Sequence, residues 1–149
     1  MPRFTLRPAV ETDLPAIKDL IYSSEINPTG LNWRRFVIAV NEQGSVIGCG
    51  QLKPHGKDVL ELASIAVKPV YRHQGIARAI IEHLLVDSPR PLYLMCHSRL
   101  EPLYEKFGFR PIPYDQMPRY FRRIATLAGW VEMVSKSGEG EGLSVMKLQ

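Results

Sequence analysis

The sequence predicts an α/β domain of the α+β kind, on three observations. Apolar, β-branched runs separated by turn chemistry, at Phe36–Val40, Ser45–Leu52 and Val59–Val67, read as neighbouring strands of a meander. The last of these runs is followed by a loop at Lys68-Pro69, a glycine at Gly75 and an amphipathic helical pattern. After Pro89 and Pro91, strand-like and helix-like segments alternate to the C-terminus. A chain of 149 residues, 45% hydrophobic and 23% charged, is expected to form one domain over 1–149 with a substantial core.

Taken in order, Phe4-Thr5-Leu6-Arg7 alternates like a strand, and Thr12-Asp13 stands as a cap before Leu14, Ile17, Leu20 and Ile21 at helical spacing. Asn27-Pro28 and Gly30 break that pattern, and Trp33-Arg34-Arg35 reads as a short helical turn. Asn41 to Gly44 and His55 to Asp58 carry turn chemistry between the meander strands. Val59–Val67 is almost wholly apolar, as expected of a strand covered on both faces, and only Glu61 and Ser64 interrupt it. From Gly75, Ile76, Ala79, Ile80 and Leu84 recur at helical spacing to about Val86. Leu92–Cys96 is a further strand, Arg99 to Lys106 a short helix stopped by Gly108, and Phe109–Ile112 another strand. Asp115 stands as a cap for a helix with the stripe Met117, Phe121, Ile124 and Ala128. Ser135 to Gly142 reads as a flexible polar loop before a closing strand at Leu143–Leu148.

The bulk features bound the function. The N-terminus lacks the apolar stretch of a signal peptide, and no run approaches the roughly 18 apolar residues of a membrane span, so a cytoplasmic protein with no membrane partner is expected. Cys49 and Cys96 lie inside apolar strand-like runs without metal-ligand spacing; buried thiols are expected, not a disulfide or a metal site. A net charge of +4 suits an anionic ligand and is equally ordinary for a solvated surface. Without a recognition motif, nucleic acid is not the expected partner.

The loop after Val67 has the clearest chemistry. A buried strand ends there, the chain passes Arg72, and a helix opens near Gly75, so unpaired N–H groups gather at the positive end of the helix dipole. Gly75 admits a ligand close to the backbone, Ala77 keeps the next position small, and Arg72 adds formal charge. Such a cradle suits a pyrophosphate, although a strand, glycine loop and helix also occur where nothing binds.

The stretch Val67–Ile81, VKPVYRHQGIARAII, resembles the acyl-CoA-binding motif of the GCN5-related N-acetyltransferases, with Arg72-His73-Gln74-Gly75-Ile76-Ala77 fitting the pattern of Arg or Gln, two residues, Gly, one residue, Gly or Ala. Leu103–Phe109, LYEKFGF, resembles the ending of that family's penultimate helix and the start of its next strand. The resemblance covers about Phe4 to Ile112 plus the last strand. It implies a mixed, mostly antiparallel six- to seven-stranded sheet, flanked by helices and splayed around acetyl-CoA as cofactor. The strand edge at Ile65, Ala66 and Val67 would bond the pantetheine amides, and the backbone amides of Arg72, His73, Gln74, Gly75, Ile76 and Ala77 would take the pyrophosphate. Tyr104 matches the tyrosine that protonates the departing thiolate, a helpful act because charge develops on sulfur, or that orients the thioester of the bound cofactor. Glu61 stands where some members carry a glutamate that deprotonates an amine, directly or through water. A carboxylate at the strand's wet end, salt-bridged or merely solvated near the turn at His55 to Asp58, is the plainer reading of it.

Two departures from the family pattern stand out. Where many members have an asparagine, this chain has His97, which can bond the pantetheine, act as an alternative base, or cap the following helix. The last two strands are separated by residues 113–142, an inserted helix and loop with Trp130, which can cover an acceptor cleft, form a homodimer interface, or lie on the sheet. Its arginines and Tyr120 fit an acidic substrate, or simply a charged outer helix face. The expected activity is acetyl transfer to a primary amine of a small molecule or a protein, by direct attack in a ternary complex. The acceptor would be lined by the segment from the first helix to Trp33, the hairpin at Pro54-His55, and the insertion. The alternative is a non-catalytic acyl-CoA-binding regulatory module.

Overall fold

A computed structural model describes residues 3–24, 26–127 and 142–149. The strands are β1 (Phe4–Pro8), β2 (Phe36–Asn41), β3 (Val46–His55), β4 (Val59–Val67), β5 (Leu92–His97), β6 (Arg110–Pro111) and β7 (Leu143–Leu148). The helices are α1 (Leu14–Ser23), α2 (Ile76–Leu85), α3 (Glu101–Glu105) and α4 (Arg119–Leu127). The strands form a seven-stranded sheet in the order β1-β2-β3-β4-β5-β7-β6. β1–β2, β2–β3, β5–β7 and β6–β7 pair antiparallel, and β4–β5 is a parallel pair. This is the mixed, mostly antiparallel α+β architecture expected from the sequence.

The chain divides into two compact units, residues 1–53 with 62–88, and residues 54–61 with 89–149. In the first, β2 is buried on both faces because helices cover both. Ile38 and Val40 pack with Ile17, Leu20 and Ile21 of α1. The alternate residues Val37 and Ala39 pack with Ile76 and Ile80 of α2. Period-2 alternation between two apolar layers explains why the strand reads as an unbroken hydrophobic run. Gly48 and Gly50 let α2 lie close: a Cβ on Gly50 would stand 2.6 Å from Ile65 Cδ1 and 2.7 Å from Ile80 Cγ2.

The second unit packs Tyr93 and Val145 of the sheet against Phe121 and Ala125, which are one helical turn apart on α4. Phe121 is fully buried and so is worth about 2–3 kcal/mol to the unit. The insertion thus buries an apolar face, with a 3-10 turn at Tyr114–Gln116 ahead of α4. Asp115 lies inside that turn and caps nothing; α4 starts after Pro118, whose ring presets helical φ. Ala128, Trp130 and most of the loop from Ser135 lie outside the described residues.

Other local expectations also shift. Asp13 makes no capping bond to α1; its carboxylate takes Arg7 in a two-point contact of 2.8 and 3.0 Å and the Val10 amide at 2.7 Å. β3 runs on through Pro54 to His55, three residues past the expected end at Leu52. The expected helix from Arg99 begins as a 3-10 turn at Ser98–Leu100 and becomes α3 only at Glu101.

Candidate active site

The first unit holds the cradle. β4 ends at Val67, a 3-10 turn at Pro69–Tyr71 redirects the chain, and α2 begins at Ile76. Arg72 ties the loop to the strand, its Nε donating to the Val67 carbonyl at 3.3 Å. His73 and Gly75 both take left-handed φ, +66° and +84°, a backbone form that turns successive N–H groups into an anion-binding concavity. The Arg72 amide is already used, donating to the Pro69 carbonyl at 3.2 Å. From His73 to Arg78 no amide donates to a described residue, and the ladder of α2 starts with Ala79 N to the Gly75 carbonyl at 3.0 Å. A Cβ on Gly75 would meet nothing within 4 Å, so the space above these amides is open. Residues present therefore fit a pyrophosphate, with Arg72 contributing its guanidinium in place of its amide.

Immediately ahead of this loop, β4 is distorted. Ser64 has φ +60°, uncommon for a residue with a Cβ. Buried neighbours hold it there: Gln51 Nε2 donates to its Oγ at 2.9 Å and the Cys49 thiol to its carbonyl at 3.4 Å. β4 and β5 meet in parallel register at Glu61 opposite Tyr93.

The second unit holds Glu61, His97 and Tyr104. Glu61 is 5% exposed, and its Oε1 lies 2.7 Å from Nε2 of His55. The Tyr120 ring of α4 stacks on His55 at 3.5 Å between centroids and 18° between planes. Burial, then the charge of Glu61, pushes the Tyr120 hydroxyl up to about 12. Tyr104 is 8% exposed on α3, edge-on to Phe109, and its hydroxyl bonds to none of the described residues. Burial, with a smaller contribution from Cys96, pushes that hydroxyl up to about 12, so it keeps its proton at neutral pH. Burial also lifts the thiols of Cys49 and Cys96 to about 12, which leaves both as poor nucleophiles. His97 is exposed at the end of β5 and makes no capping bond. No hydrogen bond joins Glu61, His97 and Tyr104 to one another; the partner of Glu61 is His55.

A sequence model of the acetyltransferase (GNAT) domain matches residues 32–111, a span that includes β4, the cradle and LYEKFGF. The chain belongs to the GNAT acetyltransferase family. Acetyl-CoA is the cofactor of this family. Solved structures share its fold: N-acetylglutamate synthase from Neisseria gonorrhoeae, complexed with coenzyme A and N-acetyl-glutamate, is 18% identical with a TM-score of 0.74. That match covers 99% of this chain and 35% of the Neisseria chain, so the present chain spans about a third of that protein. A Mycobacterium tuberculosis protein in complex with CoA is 24% identical over 97% of this chain and 98% of its own, with a TM-score of 0.70. A GNAT acetyltransferase from Staphylococcus aureus is 13% identical over 97% and 98%, with a TM-score of 0.69. No curated protein matches significantly.

Within this GNAT chain, the sequence singles out Glu61 and sets His55 both in a turn and in the acceptor lining, but does not pair the two. The available signal was spacing: Gly56, with φ +67°, makes a tight turn, and such a turn brings the residue just before it level with residues early in the returning strand.

Proposed function

We propose that the chain is an acetyl-CoA-dependent N-acetyltransferase, one catalytic domain over 1–149, acting on a primary amine in a ternary complex. The observation that carries this reading is the cradle: consecutive amides without acceptors under open space, at the start of α2 and beside Arg72. The amides from His73 to Ala77 and the Arg72 guanidinium would hold the pyrophosphate, and the edge of Ile65, Ala66 and Val67 would bond the pantetheine as an added strand does. His97, with no capping duty, is available to the same pantetheine. When bound, acetyl-CoA supplies an acyl group activated as a thioester. Glu61, directly or through a water or side chain it holds, serves removal of the amine proton, and the Tyr104 hydroxyl, protonated at neutral pH, donates to the sulfur as charge develops there. Neither cysteine is needed as a nucleophile.

The test is release of CoA thiol from acetyl-CoA across a panel of amino acids, polyamines and lysine peptides, with acetylated product identified by mass. Amine-dependent release is expected. Tight CoA binding with no release from any amine would replace the transferase by the acyl-CoA-binding module.

A further inference from the structure

We propose that the proton acceptor of this site is His55, through its Nδ1, with Glu61 as the positioning residue that holds the imidazole. The inference rests on the transferase reading and deepens it. The geometry is a carboxylate–imidazole pair at 2.7 Å whose side chains are 7% and 12% exposed, under a stacked aromatic roof from α4. A carboxylate oxygen accepts, so the short contact requires the hydrogen of the neutral ring to sit on Nε2 and leaves the lone pair on Nδ1. Nδ1 bonds to none of the described residues, and the imidazole side chain is 12% exposed. A base needs a lone pair with nothing on it.

The surroundings suit the charge that appears after proton uptake. Glu61 faces His55 from β4 and balances the imidazolium, as the carboxylate of a catalytic triad does. Tyr120 presents its ring face from α4, which attracts a cation, and its hydroxyl stays neutral at working pH. Phe121 meets the imidazole edge-on at 6.1 Å and carries no charge. Lys147 on β7 stands over the Tyr93 ring at 5.8 Å, and Tyr93 is the residue opposite Glu61 in the sheet.

The step balances. One proton leaves the acceptor ammonium for Nδ1, the freed lone pair forms the N–C bond as the C–S bond breaks, the second nitrogen proton ends on sulfur by way of Tyr104, and the imidazolium returns its proton to water. One proton is released per turnover.

The experiment uses the full chain as wild type, His55→Gln and Glu61→Gln. His55→Gln keeps an N–H able to bond Glu61 and removes the basic nitrogen. Nitrogen NMR on labelled histidine is expected to show neutral His55 protonated at Nε2 and bare at Nδ1; a ring protonated at Nδ1 overturns the proposal, whether or not any variant folds. With the amine found by the panel, His55→Gln is expected to lose about 10²-fold or more in kcat. Its CoA affinity should stay unchanged, and the acidic limb of its kcat/KM profile should disappear. His55→Gln retaining kcat within about twofold while Glu61→Gln loses it would assign the base to Glu61 instead. Absence of turnover with every amine would sink the transferase reading separately, leaving the NMR result to decide the tautomer.

Discussion

Tyr104 is buried on α3 with a hydroxyl that bonds no described residue and keeps its proton to about pH 12. Tyr104→Phe is expected to lower kcat about 10²-fold while the KM for acetyl-CoA moves little, measured by steady-state thiol release; an unchanged kcat would return Tyr104 to a packing role. Asp13 gives a second residue-scale expectation. The bond from Arg7 holds its carboxyl below the usual range against the opposing pull of burial, with the Val10 amide helping. A lowered folded pKa contributes stability that is present above 3.8 and lost as pH falls through the lowered value. Because Arg7 is 40% exposed, Asp13→Asn is expected to cost only about 1 kcal/mol at pH 7 in urea unfolding, with the difference vanishing in acid. At this scale the sequence spoke clearly where a residue clashed with its surroundings. Glu61 was visible because the residues around it are apolar, and Gly75 because a helix opened beside it. The partnerships of His55 and Asp13 were not, since each residue sits in a segment whose composition already has a local explanation, turn or cap, and each partner lies six residues away.

Among the elements, β4 and α2 were the most legible. Val59–Val67 was read to the residue because both faces of the strand are covered and no polar position blurs its ends. The α2 stripe was plain because Ile76, Ile80 and Ile81 are all buried. Gly48 and Gly50 of β3 answer that stripe from the sheet. Gly50→Val is expected to destabilise the protein by about 1–3 kcal/mol, read as a lower urea midpoint, because Ile65 and Ile80 already occupy the added volume. An unchanged midpoint would mean that α2 can move away from β3 without cost. Short elements resisted reading. β6 is only Arg110–Pro111, and α3 is a five-residue helix continued from a 3-10 turn, lengths at which periodicity has no room to declare itself.

For the whole molecule, the recognisable family signal occupies residues 32–111 and the fold likeness extends over nearly the entire chain. The difference is physical. The cradle and LYEKFGF lie inside that span, whereas α1 and α4 lie outside it and carry apolar stripes that any amphipathic helix shares. Buried acids shape the response to pH. Cys49 and Cys96, ordinarily near 9.0, and Tyr104, ordinarily near 10.0, are each pushed up to about 12, chiefly by burial. Between those values the unfolded chain has released protons that the folded chain keeps, so stability falls as pH rises from about 9 to 12. Urea unfolding at pH 8 and pH 10.5 should show that loss, and Cys49→Ala with Cys96→Ala should flatten it; a pH-independent midpoint would contradict it. The central claim is the cradle itself. It is tested most directly by calorimetric titration of the wild type and Gly75→Glu with CoA and desulfo-CoA, with circular dichroism to confirm that the variant is folded. Tight binding of both ligands by the wild type is expected, with its loss in the variant, whose carboxylate enters the open space above the amides. Equal binding by the two proteins, or none by a folded wild type, would contradict it.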